Sequence, residues 1–139
     1  MTSKSSRASS FRLLCRRRQL ENAGPEMASK GFTSDGAYDV TAGEKYDVFS
    51  VCIWRGVLMF LVRSDVDGLP RWCPALLFDP YSGPFPTTWY FQASPLEEIS
   101  AIWGYREMVE DDQHFDSLSN QESEALQTFI RNAGTSVSE

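Results

Sequence analysis

The chain has 139 residues, room for one domain, and its 42% hydrophobic and 13% aromatic content suffices for an ordinary core. Its longest apolar run, Val57 to Val62, is far short of the roughly 20 residues that a bilayer-spanning helix needs, and three cysteines without a Cys-x-x-Cys spacing exclude a disulfide framework and a zinc site. The net charge of −6 is unevenly spread: residues 1–30 hold seven basic and two acidic groups, hence +5, and the remainder holds six basic and seventeen acidic groups, hence −11, which weighs against nucleic-acid binding by the acidic part.

Residues 1–36 open with "MTSKSSRASSFRLLCRRRQLENAG", rich in Ser and Arg and poor in aromatics. Such a composition predicts a disordered basic tail outside the folded domain. The apolar piece Phe11 to Cys15 is too short for a secretory signal and runs into three arginines. Three readings of the tail stand side by side: a transit peptide, a basic arm for an anionic partner, and an extension upstream of a true start at Met27.

The folded domain is expected over residues 37–133. Tyr38 to Thr41 suits a short edge strand. Tyr46 to Trp54 and Val57 to Arg63 are rich in strand formers, and Arg55-Gly56 between them reads as a tight hairpin turn. Ser64 to Gly68 is a second turn, Trp72 to Phe78 a third strand, Pro80 to Pro86 an irregular connection and Thr87 to Gln92 a fourth strand. Apolar residues on both faces of these strands imply a sheet covered on one side by helix, or curled into a small SH3-like barrel over residues 38–92.

From Ser94 the pattern changes. Ser94-Pro95-Leu96-Glu97 has the form of a capping box, and Leu96, Ile99, Ile102 and Trp103 follow at helical spacing, so a helix is predicted there. Arg106 to Glu110 continues it past Gly104, and Asp111-Asp112 begins a short turn. Ser119 to Glu122 is a second capping box before the stripe Ala125, Leu126, Phe129, Ile130 and Ala133, with Gly134 at the place of a C-terminal cap and residues 134–139 frayed. Strands first and helices second make the fold class α+β, an antiparallel β-meander followed by C-terminal helices.

Candidate chemistry is sparse. His114 is the single histidine, set among acids in "EDDQHFDSL", and has no partner motif. Asp65-Val66-Asp67-Gly68 has its glycine too early for a calcium loop and reads as a turn. Cys52 and Cys73 lie in apolar strands as small core residues. No catalytic residues, metal or cofactor are therefore expected. Binding is the better-supported class. Trp54, Trp89, Tyr90 and Tyr105 are aromatic anchors of the kind that dominate hot spots, and Glu107, Glu110, Asp111 and Asp112, with His114, form an acidic helical face suited to a basic protein.

The order "YDVFSV…GVLMFLV…LPRWCPALLFD…TTWYF…AIWGYREMV…HFDSL", from about Tyr46 to Ile130, resembles small bacterial proteins, some of them similar to immunity proteins of polymorphic toxin systems. The resemblance implies a cytoplasmic, non-enzymatic inhibitor that binds a basic toxin such as a nuclease, with no membrane partner. It assigns no functional residue. The competing expectations are a small-ligand binding domain with a tryptophan-lined site, and an enzyme in which His114, Cys73 or a carboxylate pair would share a cleft.

Overall fold

The structure is a computed structural model and describes residues 11–18 and 38–137. What was expected of residues 1–10, 19–37 and 138–139 lies outside the described residues.

The predicted Arg55-Gly56 turn forms. Arg55 has φ 50° and Gly56 φ 78°, the two left-handed positions of a type I′ turn. It joins β3, Ser50–Trp54, to β4, Val57–Arg63, in unbroken register from Trp54↔Val57 to Ser50↔Leu61. β5, Pro70–Pro74, pairs with β4 on one side. On the other side β3 pairs with β7, Ile99–Gly104, and β7 with β6, Tyr90–Leu96. The result is a five-stranded antiparallel sheet in the order β5-β4-β3-β7-β6. It is an open sheet, so the expected alternative of an SH3-like barrel is not what forms.

Alternation along the strands assigns two faces. One carries the row Cys73, Phe60, Val51, Trp103 and Phe91, read across the strands in register. The opposite face carries Trp72, Leu61, Ser50, Gly104 and Tyr90 in the same way. Three C-terminal helices cover the second face: α1, Arg106–Glu110; α2, His114–Ser119; and α3, Ser123–Val137. Phe115 stacks on Trp72 at 5.5 Å, and Phe129 of α3, fully buried, packs edge-on against Phe49 at 5.2 Å. Gly104 is needed beneath this layer, because a Cβ there would meet Ser50 Oγ at 2.6 Å. The Ser50 hydroxyl already donates to the Trp103 carbonyl at 2.7 Å.

The first face is covered by a segment that was expected to lie outside the domain. β1, Arg12–Leu14, pairs antiparallel with β2, Lys45–Asp47. Phe11, Leu13 and Cys15 are buried in the core, with Cys15 fully enclosed. The arginines that marked the segment as a tail stay outside: Arg12 pairs with Asp47 and Arg16 with Asp79. The reading of residues 1–36 as one tail is thus corrected for Phe11–Arg18. Alternation puts Phe11, Leu13 and Cys15 on one side of a strand, and that pattern was hidden by the flanking Ser and Arg.

Two more expectations change. The predicted helix from Ser94 is instead the β6–β7 hairpin, with Glu97-Glu98 as its connection. Ser94 lies at φ 52° in a β-bulge, and Ile99, Ala101 and Ile102 are buried by strand pairing rather than by a helical stripe. Tertiary pairing prevailed over a local capping signal. At the other end, α3 runs through Gly134 to Val137 rather than stopping at residue 133.

Candidate functional site

The segment from Pro80 to Leu96 carries no charged residue, in a chain of which 23% is charged. Its prolines hold it off the sheet as far as Trp89, and it then enters β6 at the edge of the sheet. Tyr81 folds back over Gly83, donating its hydroxyl to the Pro84 carbonyl at 2.9 Å. Phe11 is the hub beneath, with ring centroids 4.8 Å from Tyr81, 5.4 Å from Phe85 and 5.8 Å from Trp89. Phe85 continues to Trp103 at 5.9 Å, and Phe91 reaches the same indole at 5.1 Å.

This cluster is buried at its centre and open at its rim. Phe11 is 4% exposed, whereas Tyr81, Phe85 and Phe91 are 41%, 43% and 56% exposed. Exposed large apolar side chains gathered at one place mark interaction surfaces more often than single ones do. The strand itself adds a second element. Among the described residues β6 is paired only on its β7 side, and no described strand takes the outward N–H and C=O groups from Tyr90 to Ala93.

The acidic residues lie on the helical side of the same edge. α1 packs on β6 and β7, and Asp111 and Asp112 flank Pro95, Leu96 and Phe115 in a shallow groove. Glu110 pairs with Arg106 at 3.1 Å, and Tyr90 lies close enough to Arg106 to influence its guanidinium. Asp111 Oδ1 accepts the Gln113 N–H at 3.1 Å, and Asp112 is exposed.

The predicted binding residues divide into three groups. Tyr90, Glu110, Asp111 and Asp112 adjoin the β6 edge, and Trp89 supports it from the aromatic side. Trp54 is elsewhere, at the far hairpin, with the Arg55 guanidinium 4.6 Å above its ring and Arg55 bound to Glu98 at 2.8 Å. Tyr105 and His114 lie in the interior, and Glu107 is engaged at the surface by α3. The Tyr105 hydroxyl and His114 Nε2 share one hydrogen bond of 2.7 Å in the core. Burial holds His114 below the ordinary imidazole value and pushes the Tyr105 phenol upward. Glu107 accepts from Arg131 at 2.8 Å and from Asn132 at 3.1 Å. Burial raises its carboxyl, but its own backbone N–H, Asn132 and Arg131 outweigh that and hold it low.

Tyr81, Phe85, Phe91 and Leu96, exposed at this edge, were not among the selected residues. The signal available for them was the absence of charge from Pro80 to Leu96, which aromatic counting alone did not use.

Among the described residues no group of three or more His, Cys, Asp or Glu side chains is placed to hold a metal ion, and no helix is long and apolar enough to cross a membrane. Cys52 and Cys73 are buried free thiols pushed up to about 12 by desolvation, which suits core residues rather than nucleophiles. In comparisons with known proteins, no family model, no curated protein and no solved structure matches the chain.

Proposed function

We propose that this is a non-enzymatic protein-binding domain that takes an extended segment of a basic partner along the open edge of β6. The observation that carries the reading is the uncharged Pro80–Leu96 segment, with exposed Phe85 and Phe91 at a β6 edge that no further strand covers among the described residues. An added strand would gain main-chain hydrogen bonds from β6 and alternate its side chains between two different surfaces. On one face they would meet the apolar rim of Tyr81, Phe85 and Phe91. On the other they would meet Glu110, Asp111 and Asp112, where Arg or Lys finds opposite charge. The expected ligand is therefore a segment in which apolar and basic residues alternate. The earlier inhibitor reading fits this as a particular case, with a cationic toxin as partner.

The test is selection of peptides from a random display library on the full chain, followed by amide hydrogen exchange of the selected complex. The expected outcome is an alternating apolar and basic consensus, protection of Tyr90 to Ala93, and loss of binding in Phe91→Glu. Consensus peptides that bind Phe91→Glu equally well would sink the proposal.

A further inference from the structure

The first face of the five-stranded sheet is covered unevenly. Phe11 packs edge-on against Phe60 at 6.0 Å, in the row that runs on through Val51 and Trp103 to Phe91. Side chains alternate along a strand, so the next row on this face lies two residues nearer the Arg55-Gly56 turn. It reads Leu58, Ile53, Ala101 and Ala93, in register from β4 through β3 and β7 to β6. Leu58 is 42% exposed and Ala93 is exposed, so the row lies open at both ends.

The row is low where it meets the β6 edge. Ala93 and Ala101 sit side by side there, each with no more than a methyl group. Beside them on the same face, the Phe91 and Trp103 rings stand together, their centroids 5.1 Å apart. Half-buried Ile53 stands beyond Ala101. The two alanines thus form a shelf with an aromatic wall and an aliphatic one, open on the side from which an added strand would come. Whichever way such a strand runs, the residue it sets beside Ala93 projects onto this shelf, and the residue it sets beside Phe91 projects against an exposed ring. Directly opposed side chains have Cβ atoms about 5 Å apart, so a long side chain beside Ala93 reaches across that methyl toward Ala101. A short one leaves the shelf in water, and burial of apolar surface favours the long one.

Resting on the β6-edge reading, we propose that Ala93 and Ala101 form the anchor subsite of that edge and take one Leu, Met or Phe side chain of the bound segment. The apolar positions of the ligand are then unequal. The one beside Ala93 is selected for size, and the one beside Phe91, where the ring already fills the space, is not.

The test is display selection on the full chain and on Ala93→Phe, which fills the shelf from an exposed strand position. The expected result is one peptide position restricted to Leu, Met or Phe on the natural chain and to Gly, Ala or Ser on Ala93→Phe, with the basic positions the same in both. A second measurement uses the natural chain alone and is independent of how the variant folds. Alanine in place of the anchor should weaken a selected peptide about tenfold, and alanine beside Phe91 less than about twofold. Nuclear Overhauser contacts should join the anchor to the Ala93 and Ala101 methyl groups. The same large residue selected by both chains, or an anchor that alanine replaces at a cost below about twofold, overturns the subsite. If peptides of that kind still protect Tyr90 to Ala93 from amide exchange, the edge reading stands without the anchor. If Tyr90 to Ala93 stay unprotected, the edge reading falls and the anchor with it.

Discussion

The two edges of the five-stranded sheet are finished in different ways. β5 begins and ends on proline, so Pro70 and Pro74 offer no N–H to an incoming strand. Between them Arg71 is pinned by Asp67 and Asp39, and charge at an edge opposes pairing. β6 opens with Tyr90-Phe91-Gln92-Ala93, with neither proline nor charge, and its bulge at Ser94 interrupts only the far end. Both edges run the same risk of pairing with another chain, and the guards on β6, its bulge and Pro95, leave Tyr90 to Ala93 open. The contrast supports the proposed binding edge on β6.

The strongest way to break this comparison is to uncover the sheet. Leu13→Ala should destabilise the domain by about 2–5 kcal/mol in urea unfolding, because β1 shields the aromatic face. A loss below about 1 kcal/mol would mean that β1 is dispensable and the apolar surface larger than described. A chain beginning at Met27, which lacks β1 altogether, should be less stable still.

The helical side is sharpened by the buried pair. Tyr105→Phe leaves His114 Nε2 without its partner and should cost about 1–3 kcal/mol. Because burial lowers the folded-state pKa of His114, the unfolded chain binds a proton that the folded chain resists. Stability should therefore decline as pH falls through the ordinary imidazole value of about 6.5 and on toward the lower folded value. The slope should be shallower in His114→Gln, and an unchanged slope would show that this imidazole is not withheld from protons.

Smaller effects on stability separate the two edges directly. Phe91→Glu should shift unfolding by no more than about 0.5 kcal/mol while removing partner binding, and Arg71→Glu on the guarded edge should leave partner binding intact. Asp112→Asn should leave stability unchanged and slow association with a basic partner at low salt, since the group is exposed at the rim.

The parts that could be read from the sequence were those where local chemistry and tertiary structure agree. The Arg55-Gly56 turn, the Val57–Arg63 strand, the Arg106–Glu110 helix and the α3 stripe have this property, except that Ile130 of the stripe stays exposed. Ser94 to Gly104 did not, because Leu96, Ile99, Ile102 and Trp103 satisfy a helical period by accident, while Ile99 and Ile102 are buried by neighbouring strands and Leu96 stays exposed. β1 was hidden for a related reason: its three inward residues are buried only when β2, distant in sequence, pairs with it. For the site, acids next to the edge were legible by charge. Glu107 was not distinguishable from them, since Arg131 and Asn132 reach it only through the packing of α3 on α1.

The most direct test is cross-linking from a photoreactive phenylalanine placed at Phe91 in the full chain, with the same residue placed at Val66 as the control. Both positions are exposed, but Val66 sits in the Ser64–Gly68 turn, away from the β6 edge. The account predicts a covalent adduct from position 91 to an extended, basic segment of a partner protein, and none from position 66. Adducts of equal yield from both positions, or from position 66 alone, would contradict it.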